Sequence, residues 1–236
     1  NLLFIIASEF ILRRPPFYLY VLRYFKSIPS AWLLLVQLLI LIALPVLSDS
    51  FEGQLVSWIL SMIALMMVAL IIRNSPVFTA VGLALVVSAL SVSAWAFFTQ
   101  RPELYAIAHI LEAAAYFYAA AGMVMYMFAD DIVTRDELFA VAAVFTLLVW
   151  GFAFLYSVCQ QWYPQSFTAM FNSDEPRTWL ELLFLSFSTL SSVGLSDILP
   201  VSPPARVLSA IQMFGGVMYL TLVVTRLLGF TQHKKM

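Results

Sequence analysis

The chain is laid out as apolar runs of bilayer length, interrupted by one run too short to join them. A helix needs about 20 apolar residues to cross a hydrocarbon core of about 30 Å. Six runs of that order are present: Ala31 to Ser48, Leu55 to Ile72, Val77 to Phe98, Glu103 to Phe128, Leu138 to Gln160 and Ala205 to Phe230. Between the last two, after a polar stretch from Gln161 to Arg177, comes Trp179 to Leu190. Those 12 residues reach only about 18 Å as a helix. Composition agrees with this layout. The 236 residues are 63% hydrophobic and 11% charged, with a mean hydropathy of +0.94. A soluble domain is about half apolar and a quarter charged, so the class is an all-α membrane protein. One Cys and two His exclude a disulfide framework and a Cys/His zinc site, and a net charge of −1 leaves no footprint for nucleic acid.

Basic residues orient the spans, because Lys and Arg collect on the cytoplasmic side. With the N-terminus inside and six crossings, Arg13, Arg14, Arg23, Lys26, Arg73, Arg135, Arg226, Lys234 and Lys235 are cytoplasmic. Only Arg101, Arg177 and Arg206 fall outside. If Trp179 to Leu190 crossed as well, the C-terminal lysines would lie outside, so this run is expected to be re-entrant and both termini cytoplasmic. Residues 1–28 differ from the rest. Arg13-Arg14-Pro15-Pro16 breaks any single helix, and the aromatics beyond it mix with Arg23 and Lys26. That pattern suits an interfacial segment; a secretory signal is the competing reading, but its basic residues would precede the apolar stretch rather than follow it. Residues 29–130 are then expected as a four-helix peripheral bundle, and 131–236 as a separate unit around the short run.

Irregular backbone at membrane depth survives only when buried in protein or lining a water-filled path. The stretch Thr189-Leu190-Ser191-Ser192-Val193-Gly194-Leu195-Ser196-Asp197, followed by Ile198-Leu199-Pro200, has that character. Backbone carbonyls from four such segments can replace a cation's water shell.

These residues resemble the filter of the tetrameric potassium-channel superfamily, T-x-T-T-V-G-Y-G-D with a Pro a few residues on. Trp179 to Ser188 is similar to that family's pore helix. Ala205-Arg206 opens an inner helix ending in Thr225-Arg226-Leu227-Leu228-Gly229, which is similar to the A-R-L-V-G ending of bacterial ion-channel pore proteins. The resemblance runs from Thr178 to Gly229. It implies a six-transmembrane, voltage-gated-like channel architecture in which 131–236 is the pore domain, in a bacterial inner membrane. It implies a conduction filter at Ser192, Val193, Gly194, Leu195 and Ser196, supported by Thr189, Ser191 and Asp197. Potassium would be held at Ser192, Val193, Gly194 and Leu195 as permeant ion, not as cofactor. The implied partners are a homotetramer, the lipid bilayer and permeant cations, and the implied activity is non-enzymatic. The family's aromatic after Val-Gly is Leu195 here and its second Gly is Ser196. A non-Gly residue in left-handed backbone costs about 1–2 kcal/mol, so either that strain is held at Ser196 or the outer filter takes another shape. The expected function is monovalent cation conduction, potassium-selective or weakly selective. A non-conducting channel-like subunit and a small-solute transporter are the alternatives, and the latter lacks the matched broken helices of inverted repeats.

Several residues bear on gating. The fourth span, Glu103 to Phe128, contains no Lys or Arg, whereas a voltage sensor carries arginines through the membrane. It carries instead His109 and Glu112, three apart on one helix face and followed by Tyr116, a candidate pH sensor whose alternative is a pair near the outer interface that snorkels or bonds a neighbour. Ala113 to Ala115 and Ala119 to Gly122 smooth the same helix for close packing. In the last span Gly215-Gly216 is a candidate gating hinge or a close-packing point. The loop Ala129 to Glu137 offers acids to Arg226. Around the outer mouth, Asp49, Glu52, Glu103, Asp174, Glu175, Glu181 and Asp197 face Arg101, Arg177 and Arg206, seven acids against three bases and hence −4 per chain. The uncharged fourth span predicts shallow conductance–voltage curves in planar bilayers. Steep gating worth many elementary charges would contradict it.

Overall fold

The computed structural model describes residues 28–47, 63, 66, 76–129, 134–170, 172–173 and 175–233. In chain order these form α1 (Pro29–Leu47), α2 (Pro76–Thr99), α3 (Pro102–Met127), α4 (Arg135–Trp162), β1 (Phe167–Ala169), α5 (Trp179–Leu190), β2 (Ile198–Pro200) and α6 (Pro203–His233). The expected N-terminal interfacial segment (through residue 27), most of the expected second span and the acids Asp130 and Asp131 lie outside the described residues.

Local chemistry sets the helix starts. Four of these helices begin at a proline, Pro29, Pro76, Pro102 and Pro203, where the missing N–H is one the helix would leave unpaired anyway. The other two begin with capping boxes. Thr134 accepts from the Glu137 N–H at 3.3 Å, and Thr178 from the Glu181 N–H at 3.3 Å, while each glutamate reaches back to the threonine N–H. The first box corrects a sequence expectation. Asp136 and Glu137 belong to the first turn of α4 rather than to a loop, because carboxylates are favoured at a helix N-terminus. Among the described residues, α2 (Thr79–Thr99), α3, α4 and α6 (Pro203–Arg226) are long and apolar enough to cross a membrane, while Pro29–Pro45 and α5 are shorter.

Helix α4 is the hub. It packs against α1, α3, α5 and α6, and α2 lies on α3. The smooth face of α3 makes one of these contacts close: Ala113, Ala115, Ala119 and Ala120 are all buried. On the facing helix a Cβ at Gly151 would lie 3.1 Å from the Phe117 ring. Helix α5 wedges between α4 and α6 and ends midway along both. Ser186 donates to the Val149 carbonyl at mid-α4 (2.7 Å), and Leu190 meets Gly216 at mid-α6. The chain then returns to the end where α4 stops and α6 starts. There β2 pairs antiparallel with β1, Ile198 opposite Ala169 and Pro200 opposite Phe167. This pair of short strands sits in an otherwise helical chain, and the all-α class stands. Three-residue strands carry too little alternation to register in a sequence.

A polar node ties three elements together at the opposite end. Asp136 accepts from the Ser30 N–H (3.1 Å) and hydroxyl (3.0 Å) at the start of α1. Glu137 pairs with Arg226 of α6 at 3.2 Å, with side chains only 5% and 12% exposed, and the guanidinium also sits 5.7 Å from the Phe128 ring centroid. The expected Arg226–acid pairing is therefore present, with Glu137 as the partner. Losing one member of a buried pair costs about 3–5 kcal/mol because the other charge stays buried. Arg226→Ala and Glu137→Ala should each lower the thermal midpoint of the purified protein clearly, and the double variant should lose less than the sum. Additive losses would show that the two side chains do not act as a pair.

Candidate functional site

The site is the return segment after α5. Helix α5 descends about 18 Å, at 1.5 Å per residue over its 12 residues. The seven residues from Ser191 to Asp197 carry the chain from the end of α5 to β2 outside any helix or strand. Ser192 has φ +60° and Gly194 φ +71°, with Val193 between them outside the left-handed region. Alternation in the sign of φ turns peptide N–H groups to one side and carbonyls to the other. Gly accepts this conformation freely; Ser192 does so as the residue after the α5 C-cap, its N–H bonded to the Thr189 carbonyl at 3.2 Å. The Gly194 N–H reaches back to the Ser188 carbonyl (3.3 Å), so the last turn of α5 and the return segment are directly joined.

The alternation stops at Ser196, whose φ is not positive. Of the two outcomes left open by the sequence, the outer part takes another shape. The Ser196 hydroxyl accepts from the Ile198 N–H at 3.1 Å and leads the chain into β2. The turn beyond is clasped to the end of α4: the Ser166 carbonyl accepts from the Val201 N–H (2.9 Å), and the Ser202 hydroxyl donates to that of Ser166 (2.8 Å). Val193 and Leu195 are each 70% exposed on this chain, and Asp197 is exposed. Thr189 is buried behind the segment, and the Ser191 hydroxyl donates to the Ser188 carbonyl at 3.2 Å. A mostly apolar cavity of about 340 Å³ lies alongside, and Ser188, Thr189, Ser192, Ser196 and Ser209 are among the residues that line it.

Behind α5 lies a polar network that the sequence reading missed. Tyr156 of α4 donates to the Gln212 Oε1 of α6 and lies 3.2 Å from the Ser209 hydroxyl. The Gln212 Nε2 donates to the Ser186 carbonyl (3.0 Å) and Oγ (2.6 Å), and Ser186 in turn donates to Val149 of α4. The Ser186 carbonyl can only accept, so it fixes which end of the Gln212 amide faces it. Tyr156, Ser186 and Gln212 are 0% exposed. A buried polar group left unpaired costs about 1–3 kcal/mol, so this closed set holds α4, α5 and α6 together. The available signal was Gln212 itself, an amide inside an apolar run that must find a partner.

Other expected residues fall as follows. Gly216 packs on α5: a Cβ there would sit 3.0 Å from the Leu190 carbonyl carbon and closer still to its oxygen, whereas Gly215 faces open space. His109 and Glu112 turn to different neighbours. Glu112 is buried and accepts from the Ser93 hydroxyl of α2 at 2.5 Å. The half-buried His109 ring lies 5.4 Å from Phe154 and 6.3 Å from Trp179, joining an aromatic cluster that links α3, α4 and α5. The Ser93 bond is the neighbour contact that the alternative to a pH sensor expected of Glu112. Arg177 is also buried. It pairs with Glu181 at 3.4 Å and donates to the Asn172 and Glu175 carbonyls. Cys159 is buried, as expected of a packed thiol.

Residues 139–233, which run from α4 through α6, match the model of a family described as an ion channel. The match and the long apolar helices support an ion channel in a membrane. No curated protein and no solved structure matches the chain.

The glycine geometry separates the two neighbours. Gly216→Ala should lower the thermal midpoint and the yield of assembled protein, because Leu190 backbone cannot give way. Gly215→Ala should keep or raise stability, since Ala is favoured in a helix by about 1 kcal/mol. Equal tolerance at both positions would remove the close-packing account of Gly216.

Proposed function

We propose that four copies of this chain form a channel for monovalent cations, potassium-selective or weakly selective, with one return segment per copy lining the path. The observation that carries this reading is the segment Ser191 to Asp197: irregular, largely exposed backbone level with the middle of two span-length helices. Such backbone cannot face lipid, so it must face protein or water. Four copies around an axis satisfy that demand by enclosing water, and closed symmetry is the common arrangement of identical chains. In this reading α5 is a re-entrant pore helix, α4 and α6 are the outer and inner helices, and the second span completes six crossings with both termini cytoplasmic. Carbonyls from Ser192 to Gly194 replace the cation's water shell. Potassium is the transported ion at Ser192 to Leu195, while Thr189, Ser191 and Asp197 support the segment.

The departure at Ser196 limits the reading in a specific way. Alternating φ is maintained for the inner residues only, so carbonyl sites are expected at the inner end and a wider, less selective outer end. Exposed Asp197 and Glu103 favour cations near the mouth. Conduction is not gated by voltage through α3, which carries no basic residue.

Reconstitution into planar bilayers under a KCl gradient tests this. The current should reverse close to the potassium equilibrium potential. Equal chloride permeability, or solute uptake without current, would exclude a cation channel in favour of a non-conducting subunit or a transporter.

A further inference from the structure

We infer that Gln212 is a positioning residue for ion selection: it sets the register of the inner helix on the last turn of α5 and thereby the shape of the return segment. This rests on the channel reading above. The contacts between α5 and α6 form two matched steps. Gln212 meets Ser186, and four residues later Gly216 meets Leu190, again four residues on. Residues four apart share a helix face, so the two contacts lie one turn apart on both helices.

They act differently. Gly216 permits approach, because its missing side chain lets α6 lie on the Leu190 backbone. Gly216 alone does not choose a register, since an apolar contact slides with little directional penalty. Gln212 makes the contact directional: its amide must point nitrogen toward the Ser186 carbonyl and oxygen toward the Tyr156 hydroxyl. Tyr156 stands on α4, so the amide is held from a third helix. The register set in this way passes to the ion path in one step. Ser188 is two residues beyond Ser186, and its carbonyl holds the Gly194 N–H. Ser209, beside the Tyr156 hydroxyl, lines the same cavity as Ser192 and Ser196. A displaced α5 end would therefore move Gly194 and the peptide planes on either side of it.

Leu195 cannot brace the segment from behind, having no polar atom and being largely exposed. The Gln212 network supplies that brace from the helix side instead.

The experiment uses the full chain in planar bilayers, with reversal potentials in opposed potassium and sodium solutions. Assembly is checked by size-exclusion chromatography. Gln212→Leu and Tyr156→Phe should each assemble and conduct, and each should change the potassium-to-sodium permeability ratio by about threefold or more, the effect of one neutral hydrogen bond. The double variant should change it no more than the larger single change. Ser91→Ala, whose hydroxyl bonds only the Val87 carbonyl of its own helix, should keep the wild-type ratio. Should Gln212→Leu fail to assemble, Tyr156→Phe decides alone, since it removes one hydroxyl and no carbon. Assembled Tyr156→Phe with the wild-type ratio would overturn the inference and leave the channel reading standing. Wild-type protein that passes no cation overturns both.

Discussion

A peptide group without a hydrogen-bond partner cannot stay in hydrocarbon, since each unsatisfied group costs several kcal/mol. In the proposed channel that constraint falls on the seven residues from Ser191 to Asp197. The run from Ser191 to Asp197 leaves α5 at the mid-level of α4 and α6, and the N–H groups of Ser191, Ser192, Gly194 and Ser196 bond back to α5 or within the run. The rest of the described structure can be understood as supporting that run. Helix α5 supplies the depth. Helices α4 and α6 hold it on two sides, through the Tyr156–Gln212–Ser186 network and the Gly216 contact. The β1–β2 pair and the Ser166–Ser202 clasp hold the upper end, where the chain re-enters helical structure at Pro203.

The support extends outward by packing rather than by charge. Phe154 and Trp179 lie 4.5 Å apart between α4 and α5, and His109 of α3 completes the contact from the peripheral side. At the far end of α4, Asp136 and Glu137 reach α1 and α6 from adjacent positions. A movement of α1 or α3 would therefore meet the pore-side helices at two levels.

Features written in local chemistry were legible in the sequence. The limits of α5 coincide with the short apolar run because Thr178 and Glu181 form a capping box, a pattern read over four residues. The pairing of Arg226 with an acid of the 129–137 stretch was also foreseeable, since a buried guanidinium needs a partner. What was not legible depends on partners distant in sequence. Tyr156 and Gln212 are 56 residues apart, and nothing near either one names the other. The spacing of His109 and Glu112 placed them on one face correctly, but a helix face three residues wide can touch two neighbours, and here it does. Gly215 and Gly216 read as one feature, and only the neighbouring Leu190 backbone separates them. The choice at Ser196 between a strained copy of the filter and another shape was a question of φ, which residue type alone does not decide.

The central claim is that backbone carbonyls near Ser192 to Leu195 coordinate a transported cation on a symmetry axis. An experimental density map of the assembled protein, recorded in potassium and again in a buffer with a large organic cation in its place, tests this most directly. The account predicts fourfold symmetry and axial density between Ser192 and Gly194 that is present in potassium and lost on exchange. A symmetric assembly with no axial density in either condition, or with return segments that face lipid or lie apart from any common axis, would contradict it.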